Sequence, residues 1–135
     1  MSFVELSHTA DVKIQVRAPT LSLLFSDAFC ALMQTAFGTD RRAEMSREIQ
    51  VTATDTETLL LDFLSEVLFI CEVDGLVFAR ANIQTDGKSL TAVLEGEAFD
   101  RSRHAGGTEV KGISWSGLSL ARSDNEYVLE ILFDV

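Results

Sequence analysis

Two strand-then-helix patterns in succession constrain this chain more than any other feature. Val12, Ile14 and Val16 alternate with Lys13, Gln15 and Arg17, a period of two that predicts a half-buried strand. Pro19 ends it. Thr20 then leads into Leu21, Leu24, Phe25, Ala28, Phe29, Leu32, Met33 and Ala36, spaced as one face of a helix. Thr20 is placed to cap that helix and Gly38 to stop it. After a polar loop from Thr39 to Ser46 the pattern returns. Ile49, Val51 and Ala53 alternate with polar residues, and Asp55 or Thr56 can cap a second helix. Its stripe is Leu60, Phe63, Leu64, Val67, Leu68 and Cys71, with Asp74-Gly75 as the stop.

The second half of the chain has no helix pattern. Leu76 to Ile83 reads as a strand, and Asp86-Gly87 is a hairpin signal before Leu90, Ala92 and Leu94. Phe99 to Thr108 reads as a polar loop. Strands are expected at Val110 to Trp115 and Leu118 to Arg122, with Trp115 in the core or at its edge and Gly117 marking a bulge or tight turn. Ser123-Asp124-Asn125 is a turn, and Tyr127 to Phe133 is the last strand. Strands grouped after two strand–helix units predict an α+β domain. The expected form is two strand–helix units followed by an antiparallel β-meander, with two helices packed on the sheet. Residues 1–135 are expected to make one domain.

Composition narrows the class. Hydrophobic residues make up 47%, enough for a core. No uncharged apolar run is long enough to span a membrane. Met1-Ser2 leads straight into strand-like sequence, with no secretory signal pattern. Cys30 and Cys71 fall on or beside the helical stripes and read as reduced packing residues. These points favour the cytoplasm. The net charge is −10, from 21 acidic and 11 basic residues. From Glu48 to Ala79 there is no Lys or Arg, while Glu48, Asp55, Glu57, Asp62, Glu66, Glu72 and Asp74 all occur there. Such a surface repels phosphate backbones, so strong direct nucleic-acid binding is disfavoured. Basic proteins or cations are the expected partners, although an acidic surface also simply keeps a protein soluble.

The chain has no nucleophile elbow, no phosphate-binding glycine loop and no zinc spacing among its Cys and His residues. His8 sits in a polar turn, where an acid–base role competes with a structural one. His104 lies in a Gly-rich loop with Arg101 and Arg103, open to a partner or to solvent. Glu97 ends a strand and is either solvated or functional. Lys111 interrupts an apolar strand and either faces solvent or pairs with an acid.

Carboxylates stand near both ends. Asp11 follows Ser7-His8-Thr9-Ala10, and Asp134-Val135 closes the given sequence. If these ends adjoin, Asp11, Asp134 and the α-carboxylate of Val135 converge, and such oxygen clusters repel unless a hard cation sits between them. The other reading is that Asp11 caps a turn and the terminus is solvated. The spacing alone leaves both open.

Taken together, these pieces resemble the archease family over nearly the whole chain. The matching elements are His8-Thr9-Ala10-Asp11, the helix entry Thr20-Leu21-Ser22-Leu23-Leu24-Phe25, and Asp62-Phe63-Leu64-Ser65-Glu66-Val67-Leu68. Asp74-Gly75-Leu76-Val77-Phe78, Gly96-Glu97, His104, Glu109-Val110-Lys111-Gly112-Ile113 and Asp134-Val135 follow in order. Two positions depart from the family pattern: Trp115 stands where Tyr is commoner, and Ser116 where His is frequent.

The resemblance implies a small acidic accessory protein, not an enzyme. Its expected partner is an RtcB-type RNA ligase that joins RNA ends carrying a 2′,3′-cyclic phosphate or 3′-phosphate to 5′-hydroxyl ends. Archeases are expected to promote guanylylation and repeated turnover of that ligase in tRNA splicing and RNA repair. The resemblance also implies a divalent metal, Ca²⁺ in the first instance and Mg²⁺ or Mn²⁺ otherwise. Its ligands would be Asp11, Asp134 and the carboxylate end at Val135. His8, Glu97, His104 and Lys111 are the expected docking residues. Two alternatives are a general chaperone or modulator of RNA-modifying enzymes such as methyltransferases, and a metal-dependent phosphoesterase.

Overall fold

The structure, a computed structural model, describes residues 3–6 and 11–135. Its elements run β1 (Phe3–Leu6), β2 (Asp11–Ala18), α1 (Leu21–Phe37), β3 (Met45–Thr52) and α2 (Thr56–Asp74). They continue through β4 (Leu76–Thr85), β5 (Ser89–Ala98), α3 (Arg101–His104), β6 (Gly112–Ser123) and β7 (Glu126–Asp134). The α+β expectation holds, with both long helices where the stripes placed them. Thr20 caps α1, its hydroxyl accepting from Leu23 N at 3.2 Å. Asp55 caps α2, its carboxylate accepting from Thr58 N at 2.8 Å. Gly75 ends α2 in the left-handed region at φ +63°, which glycine enters without a Cβ penalty.

The strands do not form one meander. Among the described residues they make a four-stranded sheet, β1-β2-β7-β6, and a three-stranded sheet, β3-β5-β4, all antiparallel. The hairpins β4–β5 and β6–β7 belong to different sheets because each later strand finds an early partner: β5 pairs with β3, and β7 with β2. The chain crosses between the sheets through α3, a single helical turn in the stretch expected to be a loop. Asp100 caps that turn, accepting from Ser102 N at 2.9 Å.

The expected break at Trp115 to Leu118 is also absent. β6 runs unbroken from Gly112 to Ser123, and only its register against β7 shifts, between Ser114 and Ser119. Gly117, at φ +82°, absorbs that irregularity as a bulge and does not reverse the chain. Trp115 stands on this stretch and is 55% exposed, so it is not a core residue.

One apolar core lies between the sheets and the helices. α1 packs against β2 and β4, and α2 against β4 and β6. Phe25 and Phe29 of α1 meet Phe63 of α2 with ring centroids 6.3 and 6.4 Å apart. Burying a side chain of this size contributes about 1.5–3 kcal/mol. Cys30 and Cys71 are both free thiols, and burial pushes that of Cys71 up to about 12. Gly96 of β5 pairs with Phe78 of β4 beside a register shift, and a Cβ there would run into the Val77 carbonyl and lie 2.8 Å from Phe78 Cα.

Candidate functional site

β2 begins and β7 ends at the same end of the four-stranded sheet, where the two are its inner strands. Their antiparallel register sets Asp11 directly opposite Asp134. Cross-strand partners have Cβ atoms roughly 4.5–5.5 Å apart, a separation at which like charges destabilise the pair. On the other flank of β7, Gly112 of β6 is Asp134's partner. A Cβ on Gly112 would touch Asp134 Oδ2 at 3.8 Å, so the glycine leaves space beside that carboxylate. The Lys111 N–H donates to the Asp134 carbonyl at 2.7 Å and fixes the strand end. Asp11, Asp134 and Val135 are all partly buried, and Val135 packs against the core. Lys13, the nearest lysine along β2, is committed to Glu130 at 3.3 Å. Among the described residues neither aspartate has an ion pair.

Two carboxylates on partnered strand residues, with no ion pair to either among the described residues, form an oxygen-rich donor set of the kind a hard divalent ion takes. Among the described residues no group of three or more His, Cys, Asp or Glu side chains is placed to hold a metal. A metal here would therefore take two side-chain carboxylates, with main-chain oxygen or water completing its shell. Among the described residues no thiolate or imidazole joins the pair, so the set is one of hard oxygen donors. His8 lies outside the described residues.

Glu97 and His104 come together elsewhere, beneath the surface at 3% and 1% exposure. Glu97 accepts from Arg42 N at 2.7 Å and from Arg103 Nη1 at 2.8 Å, while Arg103 Nη2 pairs with its other oxygen. The Arg103 hydrogen bond, with the Arg42 N–H, lowers the Glu97 carboxyl to about 2 despite its burial. The same pair raises the Arg103 guanidinium. The Asp100 N–H donates to His104 Nδ1 at 2.8 Å, so that nitrogen carries no proton. Nε2 then carries it and faces the Asp40 carbonyl at 3.0 Å and Glu97 Oε2 at 3.3 Å. Every polar atom is engaged, which makes this a latch joining α3, the β5 end and the 40–42 segment. Neither Glu97 nor His104 presents a side chain to a partner. Arg103, which sequence reasoning noted only as a neighbour of His104, is the hub. The signal that could have found it is an acid six residues upstream at a strand end.

Lys111 is exposed and lines a cavity of about 380 Å³ with Ala36, Phe37, Leu68, Cys71, Glu72, Glu109 and Val110. Among the described residues it is the one expected docking residue linked to the aspartate pair, through its main chain.

The fold and this site define a class: small acidic α+β domains that set two aspartates opposite each other where the second strand begins and the seventh ends. The chain belongs to the archease family. The model of the Archease protein family (MTH1598/TM1083) matches residues 3–135. Protein archease of Methanosarcina acetivorans is 32% identical over 136 residues, covering 96% of this chain and 93% of its own. Protein archease of Methanopyrus kandleri is 31% identical over 140 residues, covering the whole of both. The solution structure of Methanobacterium thermoautotrophicum protein 1598 superposes with a TM-score of 0.82 at 23% identity, over 99% of each chain. The crystal structure of a Thermotoga maritima protein, described as an archease and possible chaperone, gives 0.69 at 17% identity over 96% of this chain and 94% of its own. The two structural likenesses carry the fold alone.

Proposed function

We propose that this protein is a non-catalytic activator of an RNA ligase that joins cyclic-phosphate or 3′-phosphate RNA ends to 5′-hydroxyl ends. It promotes guanylylation and repeated turnover of the ligase in the cytoplasm, in tRNA splicing and RNA repair. The observation that carries this reading is the Asp11–Asp134 pair, opposed in register on a member of this family. Asp11 and Asp134, with main-chain oxygen at Val135, would hold a divalent cation, Ca²⁺ in the first instance and Mg²⁺ or Mn²⁺ otherwise. When bound, the ion supplies positive charge at that end of the sheet. The chain's own residues orient that site: Gly112 leaves it open on one flank, and the Lys111 N–H pins the Asp134 main chain.

The test is RNA ligation by the ligase of the same organism at substoichiometric ligase, with wild-type protein, Asp11→Ala and Asp134→Ala. Stimulated turnover that both variants lose supports the reading. Folded variants that stimulate like wild type remove the carboxylates from it. Turnover of cyclic-phosphate RNA without ligase would make the protein a phosphoesterase. A second reading, general chaperone, draws on large apolar side chains left exposed at Phe69, Val73 and Trp115. Protection of many unrelated aggregation-prone clients favours it; protection of the ligase alone favours the activator.

A further inference from the structure

The outer face of α2 carries two large apolar side chains that the fold does not use. Phe69 is 57% exposed and Val73 62%. Four residues apart, they lie on one face of the helix. At about 100° per residue, Asp62, Ser65, Glu66 and Glu72 share that face, and all four are exposed. Among the described residues Asp62, Glu66 and Glu72 have no ion pair. Grooves flank the ridge on both sides. Leu68 and Glu72 border the cavity of about 380 Å³ that reaches Lys111. Asp62 and Glu66 border another, of about 510 Å³, against Ile49 and Val51 of β3.

We propose that this face of α2 docks a basic protein surface, with Phe69 and Val73 as its apolar anchors. Exposed aromatic and aliphatic knobs ringed by uniform charge match a partner that offers an apolar hollow among Lys and Arg side chains. The chain has no basic residue from Glu48 to Ala79, and of the cations at the margin of this face Arg47 is paired with Asp74 while Lys111 lies at the far side of the groove, so the face itself is acidic. A nucleic acid is repelled by that charge. A second copy is disfavoured too, because a two-fold interface would set the acidic face that carries Asp62, Glu66 and Glu72 against itself. The partner's identity rests on the ligase reading; the inference adds where it attaches. A partner on α2 lies along a groove ending at Lys111, whose N–H holds the Asp134 carbonyl. Docking on α2 therefore sets the partner against the groove that Lys111 lines.

The test titrates the ligase of the same organism into the labelled protein at low and high salt, beside the ligation assay. Phe69→Ser and Glu72→Lys alter exposed side chains, so both should fold, as circular dichroism would verify. Phe69→Ser should weaken affinity about tenfold or more, and Glu72→Lys should weaken it and flatten its salt dependence. Stimulation by either should return at saturating concentration. The same truncation at Leu23, 50% exposed on α1, should leave affinity unchanged. Wild-type affinity in both α2 variants, with the wild type binding and stimulating, overturns the inference and spares the ligase reading. A dimer in solution that Phe69→Ser dissolves overturns it in favour of a second copy. A wild-type protein that neither binds nor stimulates overturns both readings.

Discussion

Asp11 and Asp134 stand opposite each other across one rung of a ladder, a placement in which like charges repel. Changing Asp11 to Asn removes that repulsion and should stabilise the protein in chelator by about 0.2–1 kcal/mol. Millimolar Ca²⁺ should raise the melting temperature of the wild type and leave that of Asp11→Asn unmoved, which thermal denaturation with and without chelator would read. Glu97 responds to pH in the manner of a depressed carboxyl. Its folded value, about 2, lies below the ordinary 4.5. Its contribution is therefore present above pH 4.5 and lost as pH falls towards 2. Glu97→Gln should lower the urea midpoint at neutral pH and flatten its decline over that acid window. The resemblance pointed to Asp11 and Asp134 before any fold was known, because both stand in short motifs. The commitment of Glu97 to Arg103 was not legible, since it depends on how α3 folds back onto the end of β5.

The helices were legible because their stripes and caps are local: Phe63 lies on the stripe and meets Phe25 and Phe29 across the helix pair. Phe63→Ala should cost about 3–5 kcal/mol in equilibrium unfolding. Strand partnership was not legible, because alternation marks a strand without naming its neighbour. Hence β6, read as two strands, is one strand with a bulge, and the expected meander is divided between two sheets. The irregular pairing of β5 with β4 gives a sharp contrast between glycines. Gly96→Ala drives a Cβ into the Val77 carbonyl and should cost about 1–3 kcal/mol or more. Gly106→Ala meets nothing within 4 Å and should stay within about 0.5 kcal/mol. Chemical denaturation of the two variants would check the difference.

At the scale of the whole molecule, a net charge of −10 sets a long-range field that composition alone made legible. Association with a basic partner should slow by about tenfold or more as salt rises from low to high concentration, read by stopped-flow mixing. Among the described residues no helix is long and apolar enough to cross a membrane. The topology has a temporal consequence as well. β7 is the last of the strands in chain order, yet it lies between β2 and β6. Those two strands can be translated and wait, but they have no partner in common until residues 126–134 leave the ribosome. The sheet then closes in one late, long-range step, and the aspartate pair comes into being with it.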